Sequence, residues 1–333
     1  MSIGREIASG EDALIARYFK PLATDAGAFG LTDDAAVLKV LGHDIVVTTD
    51  AIVEGVHFLP DDPADTVARK ALRVNLSDLA AKGASAAGFV LTLALRGVDE
   101  SWLEAFARGL GADIACFHCP LLGGDTVSTP GPLMVSITAF GRVASDKMVH
   151  RSGAKAGDRV VVTGTIGDSA LGLDILRKGK VATALANDAA SREMLVGRYR
   201  VPEPRNALAP ILGAYAHAAM DVSDGLAGDL TKLCAASNVS ATIDLPAIPL
   251  SPAASAALAG GTIGMGEIVS GGDDYEILCA IPEQGFEEFA RAAKYAGVAV
   301  ASIGTFVAGA AAPQFWDGKG RELRLSRTSY SHF

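Results

Sequence analysis

The chain has 333 residues, half of them hydrophobic and only 6% aromatic, with a formal net charge of −9. That length suggests two domains, with cores filled mainly by Ala, Val, Leu and Gly. The acidic balance argues against partners that need a basic face, namely nucleic acid and anionic membrane surfaces, but permits a nucleotide bridged to carboxylates by divalent cations.

The N-terminal stretch MSIGREIASGEDALIARYF has no apolar run of the signal-peptide kind, and residues Gly10 to Phe19 read as a first helix. DIVVTTDAIVEGVHF and AAGFVLTLALRG read as strands. Between them DPADTVARKALRVNLSDLAAKG carries apolar residues at helical spacing and stops at Gly83. DESWLEAFARGLGADIACFH is a further helix and LMVSITAFGRV a strand, so the first half is β-α-β-α-β in outline. The longest apolar run, ASAAGFVLTLAL, is well short of the roughly 20 residues that a membrane span requires. A basic, Gly-containing connection near Lys147 to Lys155 marks a boundary at about Val149, giving domains 1–149 and 150–333. The second half opens with the strand RVVVTG, a Gly turn and helices. The acid-rich AMDVSDGLAGDL follows, then the strand SATIDL, the strand YEILCAIP, a helix from Gly285 to Ala296 and the strand VASIGTFV. GGDTV and GGDDY, each placed before a strand, hint at an internal repeat.

Acids recur in short apolar surroundings: Asp33 and Asp34 in LTDDAAVL, Asp50 and Glu54 in TTDAIVEGVHF, Asp78 in NLSDLAAKG, Asp125 in GGDTV, Asp221 and Asp224 in MDVSDG, and Asp273, Asp274 and Glu276 in GGDDYE. Any one of them, taken alone, reads first as a helix cap or a turn. Asp221 or Ser223 could cap a helix running from Gly225, and Ser77 and Asp78 could lie on a helical surface. As a set they would repel one another without cations, and hard oxygen ligands of this kind suit Mg²⁺. The four cysteines include CFHC, but no second pair or spaced His pair completes a zinc set. They read as structural thiols of a reducing cytoplasm. There is no P-loop, no dinucleotide-binding G-x-G-x-x-G turn and no G-x-S-x-G elbow.

In order and spacing, TDDAAV, TTDAIVEGVHF, NLSDLAAKGA, GGDTVS, HRSGAKAGDRVVVTGTIGDSALGL, MDVSDGLAGDL and GGDDYEIL resemble the thiamine-monophosphate kinases of the aminoimidazole ribonucleotide synthetase-like ATP-binding superfamily. VEGVHF and the SYSHF ending favour that branch over its relatives. The resemblance implies two α/β domains (α+β in the broader sense), the N-terminal sheet pairing with a second copy's in a dimeric barrel. It implies ATP-dependent phosphorylation of thiamine phosphate to thiamine diphosphate by a cytoplasmic homodimer using several Mg²⁺ ions, with ATP as co-substrate. By that pattern Asp33, Thr48, Thr49, Asp50, Asp78, Asp125, Asp221 and Asp224 match metal ligands. Gly124, Asp125, Arg151 and Ser223 match ATP contacts, and His57, Asp273 and Tyr330 match substrate contacts. Asp125, Asp221 and Arg151 would carry the catalysis. Thr32 stands where the family usually has Gly, and Asp273 where Glu is common, which leaves Asp274 as an alternative substrate contact. On this reading AMDVSDGLAGDL serves as both helix cap and metal site.

Overall fold

The structure, a computed structural model, describes residues 26–40, 42–97, 99–325 and 329. The helix expected from Gly10 to Phe19 and the candidate Tyr330 lie outside the described residues. Two sheets organise the rest. The first has the order β1-β2-β5-β3-β4 and comprises β1 (Ala36–Val40), β2 (His43–Val53), β3 (Ser85–Leu95), β4 (Leu121–Ser128) and β5 (Met134–Val143). All its pairings are antiparallel except that of β3 with β4. Two helices accompany it, α1 (Ala64–Ala81) and α2 (Glu100–Phe117). Asp44, Val46 and Thr48 alternate inward along β2, the period-2 pattern of a strand with one covered face.

The helix α1 holds the two halves together. All its residues except Asp65, Thr66 and Arg69 are buried, including Lys70, Arg73, Asn75, Ser77 and Asp78. A helix buried all round needs partners for its polar groups. Arg73 supplies one such link: its Nε and Nη2 grip the Asp113 carboxylate of α2 at 2.6 and 2.9 Å. The last turn of α1 leaves its own sheet, and Ala80 and Ala81 join an apolar cluster on the second sheet.

That second sheet has the order β11-β8-β10-β6-β9-β7, built from β6 (Arg159–Thr163), β7 (Ala218–Asp221), β8 (Val239–Asp244), β9 (Ile277–Ile281), β10 (Val300–Ala308) and β11 (Gln314–Trp316). Its helices are α3 (Asp168–Leu176), α4 (Lys180–Ala184), α5 (Ala189–Arg200), α6 (Ala209–Tyr215), α7 (Leu226–Ser237), α8 (Pro252–Ala259), α9 (Met265–Ser270) and α10 (Phe286–Tyr295). β9 is buried on both faces. Leu278 and Ala280 face one cluster, while Ile277, Cys279 and Ile281 face the cluster that receives the end of α1. The connection between the sheets is stitched to both: Val149 N donates to Lys82 O at 3.0 Å, and Ala219 N to His150 O at 2.9 Å.

Three local expectations are corrected. GGDTV does not precede a strand but is part of one, β4, while GGDDY is a loop before β9; the two turns are not equivalent and lend no support to a repeat. β4 was hidden because it is an edge strand with all eight residues exposed, so it shows no hydrophobic alternation. Ser77 and Asp78 are not on a helical surface. The helix after AMDVSD is capped by neither Asp221 nor Ser223: its N-cap is Gly225, without a side-chain cap bond. Asp221 still belongs to β7, four residues earlier. The cysteines are free, with Cys119, Cys234 and Cys279 buried. Burial pushes the Cys119 thiol up to about 11, the inert behaviour expected of a structural thiol. No described helix is long and apolar enough to cross a membrane.

Candidate active site

The C-terminal end of α1, the loop before β1, the middle of β2 and the end of β7 meet beside the seam between the sheets. Two acidic loops of the second half are zipped together there. Tyr275 N donates to Val222 O at 2.8 Å and Asp273 N to Ser223 O at 2.7 Å. Asp273 and Tyr275 both take left-handed backbone (φ 70° and 51°), strain of the sort that persists where surroundings over-determine it. Gly225, with φ +113°, turns the chain into α7 so closely that a Cβ there would lie 2.8 Å from the Ser270 carbonyl carbon.

The result is a cleft of about 1100 Å³. Its walls bring together most of the residues singled out in the sequence: Asp33, Thr48, Thr49, Asp50, His57, Asp78, Arg151, Asp221, Ser223, Asp224 and Asp273. Within it Asp34, Asp78 and Asp221 each offer a carboxylate oxygen, all within 4.8 Å of one another. Thr48 Oγ1 donates to Asp78 Oδ2 at 2.5 Å. Asp34, rather than its neighbour Asp33, joins this group. Asp33 instead accepts from Lys82 Nζ at 2.9 Å and from Arg151 N at 3.0 Å, and lies 3.3 Å from His150 Nδ1.

The electrostatics divide the acids into two kinds. Burial alone would raise Asp34, but Lys82 and Arg151 hold it below the usual carboxylate range. Asp221 is pushed up to about 8, first by burial and then by the charge of Asp34. Burial and the charges of Asp221, Asp50 and Asp34 raise Asp78 well above its ordinary value. Asp50, which opens to the cleft, rises to about 6 through desolvation and the charges of Asp224 and Asp34. Carboxyls that resist ionisation because they face one another are what a cation site looks like before its cation is counted. The oxygen-only donor set fits Mg²⁺, with room beside it for phosphate.

Two cationic residues were not among the site candidates read from the sequence. Lys82 is fully buried, its Nζ also donating to the Ala219 carbonyl at 2.7 Å. Lys82 is the C-cap of α1, where a Lys is commonplace, so nothing in the sequence set it apart. Lys232 pairs with Asp224 and with Asp229. Asp229 Oδ2 in turn accepts from Asp224 N at 2.9 Å. Asp274 is fully buried and turned away from the cleft, accepting from Gly167 N at 2.7 Å and Ser169 N at 3.3 Å at the start of α3. Thr32 is exposed and donates to Phe29 O at 2.8 Å.

Gly124 and Asp125 are not brought to the cleft. They stand on the exposed edge strand β4, where Asp125 pairs with Thr92, Thr92 with Ser136 and Ser136 with Ala51. Three strand spacings of roughly 4.8 Å put Asp125 about 14 Å across the sheet from Ala51. Gly124 has a structural requirement of its own: a Cβ there would lie 1.9 Å from the Leu91 carbonyl oxygen. Ser329, next to Tyr330, packs over Gly228 in the first turn of α7.

Two α/β units closing on an acid-lined cleft, with Arg151 and Lys232 among its walls and no P-loop in the chain, define a two-domain α/β protein. Residues 32–143 match the family model of the AIR synthase related protein N-terminal domain, and residues 155–312 that of the C-terminal domain. The thiamine-monophosphate kinase of Caulobacter vibrioides is 46% identical over 96% of this chain and 89% of its own. The structure of AaThiL complexed with AMPPCP and TMP superposes with a TM-score of 0.84 at 26% identity, covering all of both chains. The thiamine-monophosphate kinase from Stenotrophomonas maltophilia K279a gives a TM-score of 0.77 at 37% identity, over 93% of this chain and 97% of that one. The chain belongs to the AIR synthase related proteins and, among them, to the thiamine-monophosphate kinase family.

Proposed function

We propose that this protein transfers the γ-phosphoryl group of ATP to thiamine phosphate, giving thiamine diphosphate. The observation that carries the reading is the convergence of Asp34, Asp78 and Asp221 within 4.8 Å in a cleft wide enough for two ligands. Full-length similarity to thiamine-monophosphate kinases supports it, as does a related structure holding AMPPCP and TMP. The acceptor is a phosphate monoester, anionic at neutral pH, so its nucleophile needs no general base. The chemical difficulty is to bring two anions together.

Magnesium, held by Asp34, Asp78 and Asp221 with Thr48, Thr49, Asp50 and Asp224 around them, would supply the charge neutralisation that in-line transfer requires. In this assignment Asp34 takes the ligand role that the motif alone gave to Asp33, and Asp33 anchors Lys82. Arg151, already paired with Asp34, is the fixed cation for the transferring or leaving phosphate. Ser223 and the loop around it face the nucleotide, and His57 and Asp273 the acceptor.

The homodimer belongs to the same reading, with 1–149 as the nucleotide-, metal- and dimer-forming half and 150–333 closing over it. Both outer strands of the first sheet expose apolar side chains: Leu38 and Val40 on β1, and Leu121, Leu122 and Val127 on β4. Unprotected edges of this kind favour pairing with another copy, here as a closed barrel. Gly124 and Asp125 lie on that same edge, so they reach a metal and nucleotide through the dimer rather than across their own sheet. The test is direct. Protein, MgATP and thiamine phosphate are incubated and the products weighed by mass spectrometry. Thiamine diphosphate with stoichiometric ADP is expected, and its absence overturns the assignment.

A further inference from the structure

We infer that Lys70 and Tyr199 form a positioning clamp for the acceptor side of the cleft. The inference rests on the reading above that His57 and Asp273 face thiamine phosphate.

Lys70 is 1% exposed on α1. An ammonium group is costly to bury and persists in a core only when it is well paired. Its neighbours on the helix, Val67, Ala71 and Val74, are buried apolar residues, so packing alone would be met by a Met or Leu. Instead Nζ donates to the His57 carbonyl at 2.8 Å and to Asp273 Oδ2 at 3.1 Å. It also lies 4.0 Å from the centre of the Tyr199 ring. The Tyr199 hydroxyl donates to the same His57 carbonyl at 3.2 Å.

One carbonyl from the first half and one carboxylate from the second are thus tied to a single buried cation. Asp273 is held at both oxygens, because Tyr275 OH donates to Oδ1 at 3.2 Å. The turn that carries His57 is pinned again further on. Arg200, next to Tyr199 on α5, donates to Asp62 Oδ1 at 2.6 Å, and Asp62 Oδ2 accepts from Leu59 N at 2.8 Å. Lys70 and Tyr199 themselves do not line the cleft; they stand behind the residues that do. They are positioning residues, and what they fix is the spacing between His57 on one half and Asp273 on the other. A ligand that must touch both is sensitive to that spacing, whereas a nucleotide held at the Asp34, Asp78, Asp221 and Arg151 end is not.

The experiment uses the full chain with Mg²⁺ and two titrations per variant, one with thiamine phosphate and one with a non-hydrolysable ATP analogue, alongside steady-state kinetics. Lys70→Met keeps the volume and removes the cation. It should weaken thiamine phosphate binding and raise its KM roughly tenfold to a hundredfold, the scale on which loosened supporting contacts act, with ATP-analogue affinity within about twofold of wild type. Tyr199→Phe keeps the ring and removes only the hydroxyl, and should give a smaller loss of the same kind, about threefold. Unchanged or tighter thiamine phosphate binding by Lys70→Met overturns the inference. So does an equal loss of both ligands in both variants, which would make the lysine a support of the fold alone. His57→Ala separates this from the underlying reading: if that variant binds thiamine phosphate as wild type does, the acceptor assignment itself fails. If it loses the ligand while Lys70→Met does not, only the clamp fails.

Discussion

Replacing Asp221 by Asn should move stability and activity in opposite directions. Asp221 is 4% exposed and its carboxyl is raised from 3.8 to about 8, by burial first and by Asp34 next. At about 1.36 kcal/mol per pH unit, a carboxyl so displaced opposes folding at pH 7 by on the order of 4 kcal/mol in metal-free protein. Water entry and relaxation of the neighbouring acids reduce this to about 2 kcal/mol. Asn has nearly the same shape and no charge to bury. For a domain of this size about 2 kcal/mol corresponds to roughly 4–8 °C in melting temperature. The metal-free Asp221→Asn protein should therefore melt several degrees above wild type in EDTA. On the proposed assignment the same change removes a ligand of the cations that neutralise phosphate charge, so the rate with saturating MgATP should fall by at least about two orders of magnitude. Melting curves in EDTA and in Mg²⁺, with initial rates of ADP release, measure both effects. A metal-free variant no more stable than wild type would show that the acids do not repel one another. A near wild-type rate in Mg²⁺ would show that they do not hold the catalytic cation.

Three further outcomes follow from the same geometry. Metal-free wild type should melt higher at pH 5.5 than at pH 8: the raised carboxyls of Asp221, Asp50 and Asp229 bind protons in the folded state that the unfolded chain has already released, so stability is lost as pH rises through about 6 to 8, and Mg²⁺ should shrink the difference. A melting temperature rising with pH in EDTA would contradict this. Asp125→Asn should cost at least about a hundredfold in rate with little change in melting temperature, because the residue is exposed, and Leu122→Lys on the same strand should shift the dimer to monomer by light scattering; a wild type already monomeric at micromolar concentration would remove the barrel. His57→Ala and Tyr330→Ala should weaken thiamine phosphate binding while leaving ATP binding nearly unchanged in paired titrations, cation–π contact to the thiazolium being worth about 0.5–2 kcal/mol; retained affinity would take these residues out of the acceptor pocket.

Much of the fold was legible because its signals are local. The strands from DIVVTTD and YEILCAIP and the helices from ADTVARKALRV and FEEFARAAKY announce themselves by period and by flanking Gly or Pro. β4 did not, because an edge strand with all its residues exposed need not alternate. The cap at Gly225 was missed because Asp and Ser are the commoner caps, and here close approach of Ser270 demanded a residue without a side chain. Most candidate site residues were found through motif order rather than any single motif. The motif pattern pointed to Asp33, whereas the structure brings Asp34 to the acid group, since adjacent carboxylates differ only in which way the loop turns them.

By itself the sequence determined a two-part α/β chain with a net charge of −9, no P-loop, and apolar segments punctuated by acids. Composition, period and motif order carry that information because each depends on near neighbours along the chain. Only the tertiary structure decided which acids converge, that Lys82 and Arg151 rather than solvent balance Asp33 and Asp34, and that Lys70 joins the His57 carbonyl to Asp273, a residue 203 positions further along the chain than Lys70 itself. Charge pairing and metal ligation fall off within a few ångströms, and distances of that order between remote residues are set by how the two halves pack on α1.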